Sequence, residues 1–164
     1  MLNKEDRENV DVVLEGGIVV TLDEERRIYD PGYIVVDGGS IVDLGSGSSN
    51  SYNAKKTIDA SGKVILPGII NAHNHLDQSL YRGCFDEKQY SRDSLLIMAK
   101  QLTRDRAKKA ASLSLLEQVK YGITTTQENH WTHYHIESTD GICEAIDKSN
   151  MRAFVSRGMN DVEK

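Results

Sequence analysis

The chain has 164 residues, 38% of them apolar, and a formal charge of −5; that length suits one ordinary globular domain, and the acidic balance argues against nucleic acid as a partner, since such binders carry a basic patch or stripe. No apolar run approaches the roughly 20 residues of a membrane span, and the charged start Met1–Glu8 lacks the apolar core of a signal peptide. With two isolated cysteines, Cys84 and Cys143, in no metal or redox spacing, a cytoplasmic protein without a membrane partner is expected.

In chain order, residues 10–60 read as short strands joined by tight turns. Val10–Leu14 and Ile18–Thr21 flank Glu15-Gly16-Gly17, and Tyr33–Val36 and Ile41–Leu44 flank Asp37-Gly38-Gly39-Ser40. Glycine links of this length between β-branched runs are hairpin signals. Gly45–Ser51 reads as a flexible surface loop. Thr57-Ile58-Asp59 and Lys63-Val64-Ile65 follow as a last strand region.

The pattern changes after His75. Asp93 or Ser94 is expected to cap a helix starting at Leu95. A second helix is expected over about Arg104–Tyr121, with Ala107, Ala111, Leu115 and Val119 on one face. Gly122 then serves as its C′ residue. Ile123–Gln127 reads as a strand, Ser138 or Thr139 as the cap of a helix to about Ser149, and Arg152–Ser156 as a further strand. Strand, helix, strand, helix, strand is the pattern of parallel α/β folds.

The chemistry concentrates in Val64-Ile65-Leu66-Pro67-Gly68-Ile69-Ile70-Asn71-Ala72-His73-Asn74-His75-Leu76. On a strand, residues i and i+2 share a face, with Cβ atoms roughly 6.5–7 Å apart from a rise of about 3.3 Å per residue. Two imidazoles at that spacing can converge on one metal ion with bonds of about 2.0–2.1 Å. Buried polar rings are normally partnered, so His73 and His75 at the end of an apolar strand are the candidate metal ligands. The alternative is two polar residues at a strand end.

This segment resembles the first barrel strand of the amidohydrolase superfamily, which reads Pro-Gly, two apolar residues, Asn or Asp, any residue, then His-x-His. The continuation Leu76–Gly83 is similar to the branch of aminohydrolases and chlorohydrolases that act on heterocycles. The resemblance implies an α/β architecture: residues 1–66 as part of a small β-sandwich, and residues 67–164 as the first β/α units of a (β/α)8 barrel. Such a barrel takes about 250 residues and about 100 follow Pro67, so the barrel is expected to be incomplete in this chain. The remainder would come from a C-terminal portion or a complementary chain; the bland alternative is a complete small α/β domain.

The resemblance further implies one divalent metal ion, zinc or alternatively iron, held by His73 and His75 with further ligands outside this chain. It implies hydrolytic deamination of a small heterocyclic substrate through a metal-activated water, in an enzyme that is a homo-oligomer. Dechlorination or dealkylamination of a triazine-like ring is the runner-up, and a non-catalytic half needing a partner is the reading from another class. Gln78 is expected to contact the ring, since an amide offers both a donor and an acceptor; a loop-capping role stays open. Asp77 either orients a ligand histidine or caps a turn, and Arg82 either meets an anionic group or forms an ion pair.

His130-Trp131-Thr132-His133-Tyr134-His135 follows the second barrel strand. His130 or His133 is expected to line the substrate pocket, with Trp131 or Tyr134 stacking on a planar ring; an aromatic loop packed on a neighbouring subunit is the alternative. His135-Ile136-Glu137 matches the His-x-Glu of zinc deaminases that act on nucleic acid, but their Pro-Cys-x-x-Cys partner is missing. Where nucleoside deaminases of the branch carry a Trp, Gln89–Ser94 stands instead, which argues against an adenosine-like substrate.

Overall fold

The computed structural model describes residues 7–84, 91–131 and 134–158, which fall into two compact units, Met1–Pro67 and Gly68–Lys164. His133 and the 85–90 stretch lie outside the described residues.

In the first unit, β1 (Glu8–Val20), β2 (Ile28–Asp37), β3 (Ser40–Ser46), β4 (Tyr52–Asp59) and β5 (Val64–Ile65) make one sheet. β1 is its spine. It pairs antiparallel with β2 on one side. On the other it pairs parallel with β4 along Glu8–Glu15 and with β5 along Ile18–Val19. Val10, Val13 and Val35 are buried against Tyr33, Tyr52 and Ala54. Both tyrosine hydroxyls donate to Asp43 Oδ2, at 3.0 and 2.8 Å. The bond to Asp43, reinforced by burial, pushes the Tyr52 hydroxyl up to about 12.

The β2–β3 hairpin forms where expected: Asp37 pairs with Ser40 across Gly38-Gly39, whose φ angles are +56° and +79°. Two positive φ values are what a tight two-residue hairpin needs. The hairpin expected at Gly16-Gly17 does not form. β1 runs straight through with register shifts at Glu15/Gly17 and Gly17/Val19. The glycines serve close approach instead: a Cβ on Gly17 would sit 2.7 Å from the Ala60 carbonyl oxygen and 2.8 Å from that of Lys63.

In the second unit, β6 (Ile69–Asn74), β7 (Ile123–His130) and β8 (Arg152–Arg157) are parallel in that order. Parallel neighbours need long crossovers, supplied by α2 (Arg104–Lys120) and α3 (Ser138–Ser149). A short 3-10 helix (Leu76–Tyr81) and α1 (Arg92–Ala99) precede α2. Leu76, Leu102, Ala107, Ala111, Leu115, Ile142, Ala145 and Ile146 form the core. Ile69 and Ile70 on β6 remain 53% and 69% exposed.

Three helix details differ from expectation, the first being that the N-cap of α3 is Glu137, without a side-chain cap bond, and not Ser138 or Thr139. α1 is capped by Ser91, not Asp93 or Ser94: Ser94 N–H donates to Ser91 Oγ at 3.2 Å, and Ser91 N–H donates to Ser94 Oγ at 2.9 Å. This is a capping box with Ser in the usual Glu or Gln place. On α2, Ala107, Ala111 and Leu115 are buried, but Val119 is 50% exposed and Gln118 is buried in its stead. Each i,i+4 step overshoots a 3.6-residue turn by about 40°, so three steps carry Val119 off the inner face.

α3 is tied to α2 at two points. Gly141 lies so close to α2 that a Cβ there would fall 2.1 Å from the Arg104 carbonyl oxygen. Glu144 pairs with Arg104 and, at 2.5 Å, with Lys108 Nζ. The hydrogen bonds from Lys108 and Arg104 hold the Glu144 carboxyl down to about 2, from an ordinary 4.5. A folded-state value below the unfolded one gives stability that is present above pH 4.5 and lost as pH falls toward 2. The urea midpoint of the wild type is therefore expected to fall more steeply over that window than that of Glu144→Gln. Parallel slopes would show that the pair contributes nothing measurable, as exposed pairs often do.

Candidate metal centre

His73 and His75 sit at the C-terminal end of β6. His73 is exposed and His75 half-buried, just past the strand. Their ring centroids are 5.0 Å apart in an edge-on arrangement. The Asn129 carbonyl oxygen lies 2.7 Å from His75 Nδ1. A carbonyl only accepts, so Nδ1 carries the proton, and in the neutral ring Nε2 keeps the lone pair that a metal would take. The two rings therefore suit a shared metal ion, with one ring's tautomer already set from β7.

Asp77, Glu128 and His130 form a buried polar cluster. β7 alternates strictly at its end, so Thr126, Glu128 and His130 share a face and are each 0% exposed. Asp77, in the first turn of the 3-10 helix, is 1% exposed. Donor atoms of Asp77, Glu128 and His130 all lie within 4.8 Å of one another. Glu128 Oε2 accepts the Leu76 N–H at 2.6 Å. Ser138 Oγ donates to the His135 carbonyl at 2.6 Å, so it accepts from His130 Nε2–H at 2.7 Å. His130 Nδ1 then faces Glu128 and Asp77 at 3.8 and 3.9 Å.

Burial dominates the electrostatics here. Desolvation lifts Glu128 to about 8, with the Asp77 charge adding and the Leu76 N–H opposing. Desolvation lifts Asp77 to about 6, against the pull of His75. Desolvation, with Arg157 and His75 beside it, lowers His130 to about 4. At neutral pH the cluster thus holds a neutral imidazole and a protonated Glu128, an arrangement a low-dielectric pocket tolerates.

The other sequence candidates separate. Gln78 is half-buried in the 3-10 helix, its N–H donating to the His75 carbonyl at 3.1 Å. His130 has no exposed surface, and its Nε2 meets Ser138 Oγ at 2.7 Å. Arg82 pairs with Glu117 at 2.6 Å. Tyr134 is exposed, with Lys100 Nζ 5.5 Å from its ring centre. His135 and Glu137 make a local surface pair at 3.3 Å. Glu128 was not singled out from sequence. The signal available was its place two residues before His130 in a β-branched strand, which puts both on one face.

The Amidohydrolase family model matches residues 64–163. The chain belongs to the amidohydrolase family. A curated relative, the 5-methylthioadenosine/S-adenosylhomocysteine deaminase of Bacillus cereus strain G9842, is 34% identical over 155 residues, covering 89% of this chain and 35% of the relative. The solved atrazine chlorohydrolase of Arthrobacter aurescens TC1, complexed with zinc, is 25% identical with a TM-score of 0.77, covering 89% of this chain and 35% of that one. An adenosine deaminase from Xanthomonas campestris with bound zinc shares the fold at 20% identity and a TM-score of 0.76, over 90% of this chain and 34% of that one. The chain thus spans about 35% of the length of the relatives it matches. The architecture is that of the opening part of an amidohydrolase, a sheet unit followed by the first β/α units of the barrel. Among the described residues no helix is long and apolar enough to cross a membrane.

Proposed function

We propose that this chain supplies the first metal-binding strand of an amidohydrolase that deaminates a small heterocyclic ring in the cytoplasm. The observation that carries the reading is the His73–His75 pair, with rings 5.0 Å apart, inside the segment that matches the family. His73 and His75 would hold one divalent metal ion, zinc by the chemistry of an imidazole donor set. When bound, the metal supplies the Lewis acidity that makes water a nucleophile near neutral pH. His75 is held in one tautomer by Asn129. Gln78, anchored through its N–H to His75, presents an amide to the edge of the ring. His130 contributes to the site as a neutral buried ring beneath it. The remaining ligands and proton-transfer groups would come from the rest of the polypeptide or from a complementary chain, and the complete enzyme would be a homo-oligomer.

The atrazine chlorohydrolase among the similar structures keeps a second reading in view, in which chloride leaves a triazine-like ring. The enzyme that contains this chain, loaded with zinc, decides between them. Ammonia release from aminopurines or aminopterins supports deamination. Chloride release from a chlorotriazine, without ammonia from any amino-heterocycle, favours the second. Neither release would leave the chain a non-catalytic member of the family.

A further inference from the structure

We propose that Glu128 is a positioning residue for the His73–His75 pair: its side chain replaces the sheet's own hydrogen bonding where β6 ends, and so fixes the backbone that carries His75. The inference rests on the metal reading above.

The β6–β7 ladder is regular at Ile70–Thr125 and Asn71–Thr126, slips, and resumes only at Asn74–Glu128. Beyond that pair the chain turns into the 3-10 helix, so the Leu76 N–H leaves the ladder. Leu76 is 0% exposed, and a buried N–H must find an acceptor. Glu128 Oε2 supplies it at 2.6 Å. The next residue of β7, Asn129, holds the His75 ring through its carbonyl. Two consecutive residues of β7 thus grip two consecutive residues of the ligand segment, one by ring and one by main chain.

The carboxyl is an expensive way to satisfy one N–H. Glu128 Oε1 is buried without a hydrogen-bond partner, and burying such a group costs free energy that an apolar side chain would not. What an apolar side chain cannot do is reach past the last ladder pair and accept from Leu76. If the grip fails, the 3-10 helix start and His75 are free to rotate away from the Asn129 carbonyl, and the ring loses its fixed tautomer.

The test uses the enzyme that contains this chain, isotopically labelled at its histidines and leucines, with Zn2+ alone as the probe. In the wild type the Leu76 amide proton should resonate far downfield and exchange slowly with solvent, and side-chain nitrogen shifts should show His75 protonated at Nδ1. Glu128→Ala should mix the His75 tautomers and weaken zinc binding about 10–100-fold, the range for losing a partner that orients a ligand. Glu128→Gln keeps an acceptor oxygen and should hold one tautomer and escape the loss of zinc affinity seen in Glu128→Ala. A merely structural carboxyl would lower the melting temperature without changing the tautomer. A Leu76 amide that exchanges freely overturns the proposal even if Glu128→Ala does not fold, and so do an unchanged tautomer and zinc affinity in folded Glu128→Ala. Zinc that remains on a His73→Ala/His75→Ala variant and is lost only with Asp77, Glu128 or His130 would make Glu128 a ligand, which also overturns it. If zinc binding ignores His73 and His75 altogether, the metal reading fails, while the Leu76 and His75 signals still judge the grip by themselves.

Discussion

Replacing His73 or His75 with alanine is expected to lower zinc affinity by at least about 100-fold, because losing only the partner of a ligand already costs about 10–100-fold. The two sites separate metal loss from misfolding. His73 is exposed at a strand end, where a substitution typically changes stability by no more than about 0.5 kcal/mol. His75 also gives up its bond to the Asn129 carbonyl, worth roughly 1 kcal/mol. Metal content measured by mass spectrometry alongside thermal melting checks this. Full zinc occupancy in a folded His73→Ala chain would remove the pair from any metal role.

The largest expected loss of stability comes from Gly141→Ala, and its sign is the informative part. In an exposed helix interior, alanine is better than glycine by about 0.8–1 kcal/mol. Here the new Cβ would lie 2.1 Å from the Arg104 carbonyl oxygen and 3.2 Å from the Lys108 nitrogen. Both are backbone atoms at the start of α2, which cannot swing aside as a side chain would. The helices must part, and the Ile142–Leu115 side of the core parts with them. Overpacking of this kind costs about 1–3 kcal/mol and sometimes more, which exceeds the propensity gain. Urea unfolding should therefore show Gly141→Ala less stable than wild type, whereas an increase in stability would mean the helices do not approach this closely.

Features set by a few neighbouring residues were legible in the sequence. Asp37-Gly38-Gly39-Ser40 carries its own turn, and the β-branched run at Ile123–Gln127 forms most of β7. The His-x-His spacing also brought two rings together, with centroids 5.0 Å apart although His75 lies just beyond the strand. What escaped depends on partners far along the chain. Gly16-Gly17 looks like a hairpin turn locally. Its real constraint is the approach of Ala60 and Lys63, which only the assembled sheet brings near. That the His130 ring is buried against Ser138 depends likewise on a partner that only the folded chain brings near. Glu128 went unnoticed for a related reason: a carboxylate in a strand suggests solvent, and only the end of the β6 ladder shows what it is there to accept.

The pairing of β1 bears on the order in which the first unit assembles. β2 and β3 meet across a turn, but β1 must wait for β4, whose partners lie 44 residues ahead (Glu8 with Tyr52, Glu15 with Asp59). Closing a loop of that length costs roughly 2 kcal/mol more in chain entropy than closing the hairpin. Parallel pairing of this kind is also slow to nucleate. The β2–β3 hairpin is thus the natural seed of the unit. The longest strand of the sheet is bound on both sides only once residues 52–65 have arrived, with its far end left to the two-residue strand β5.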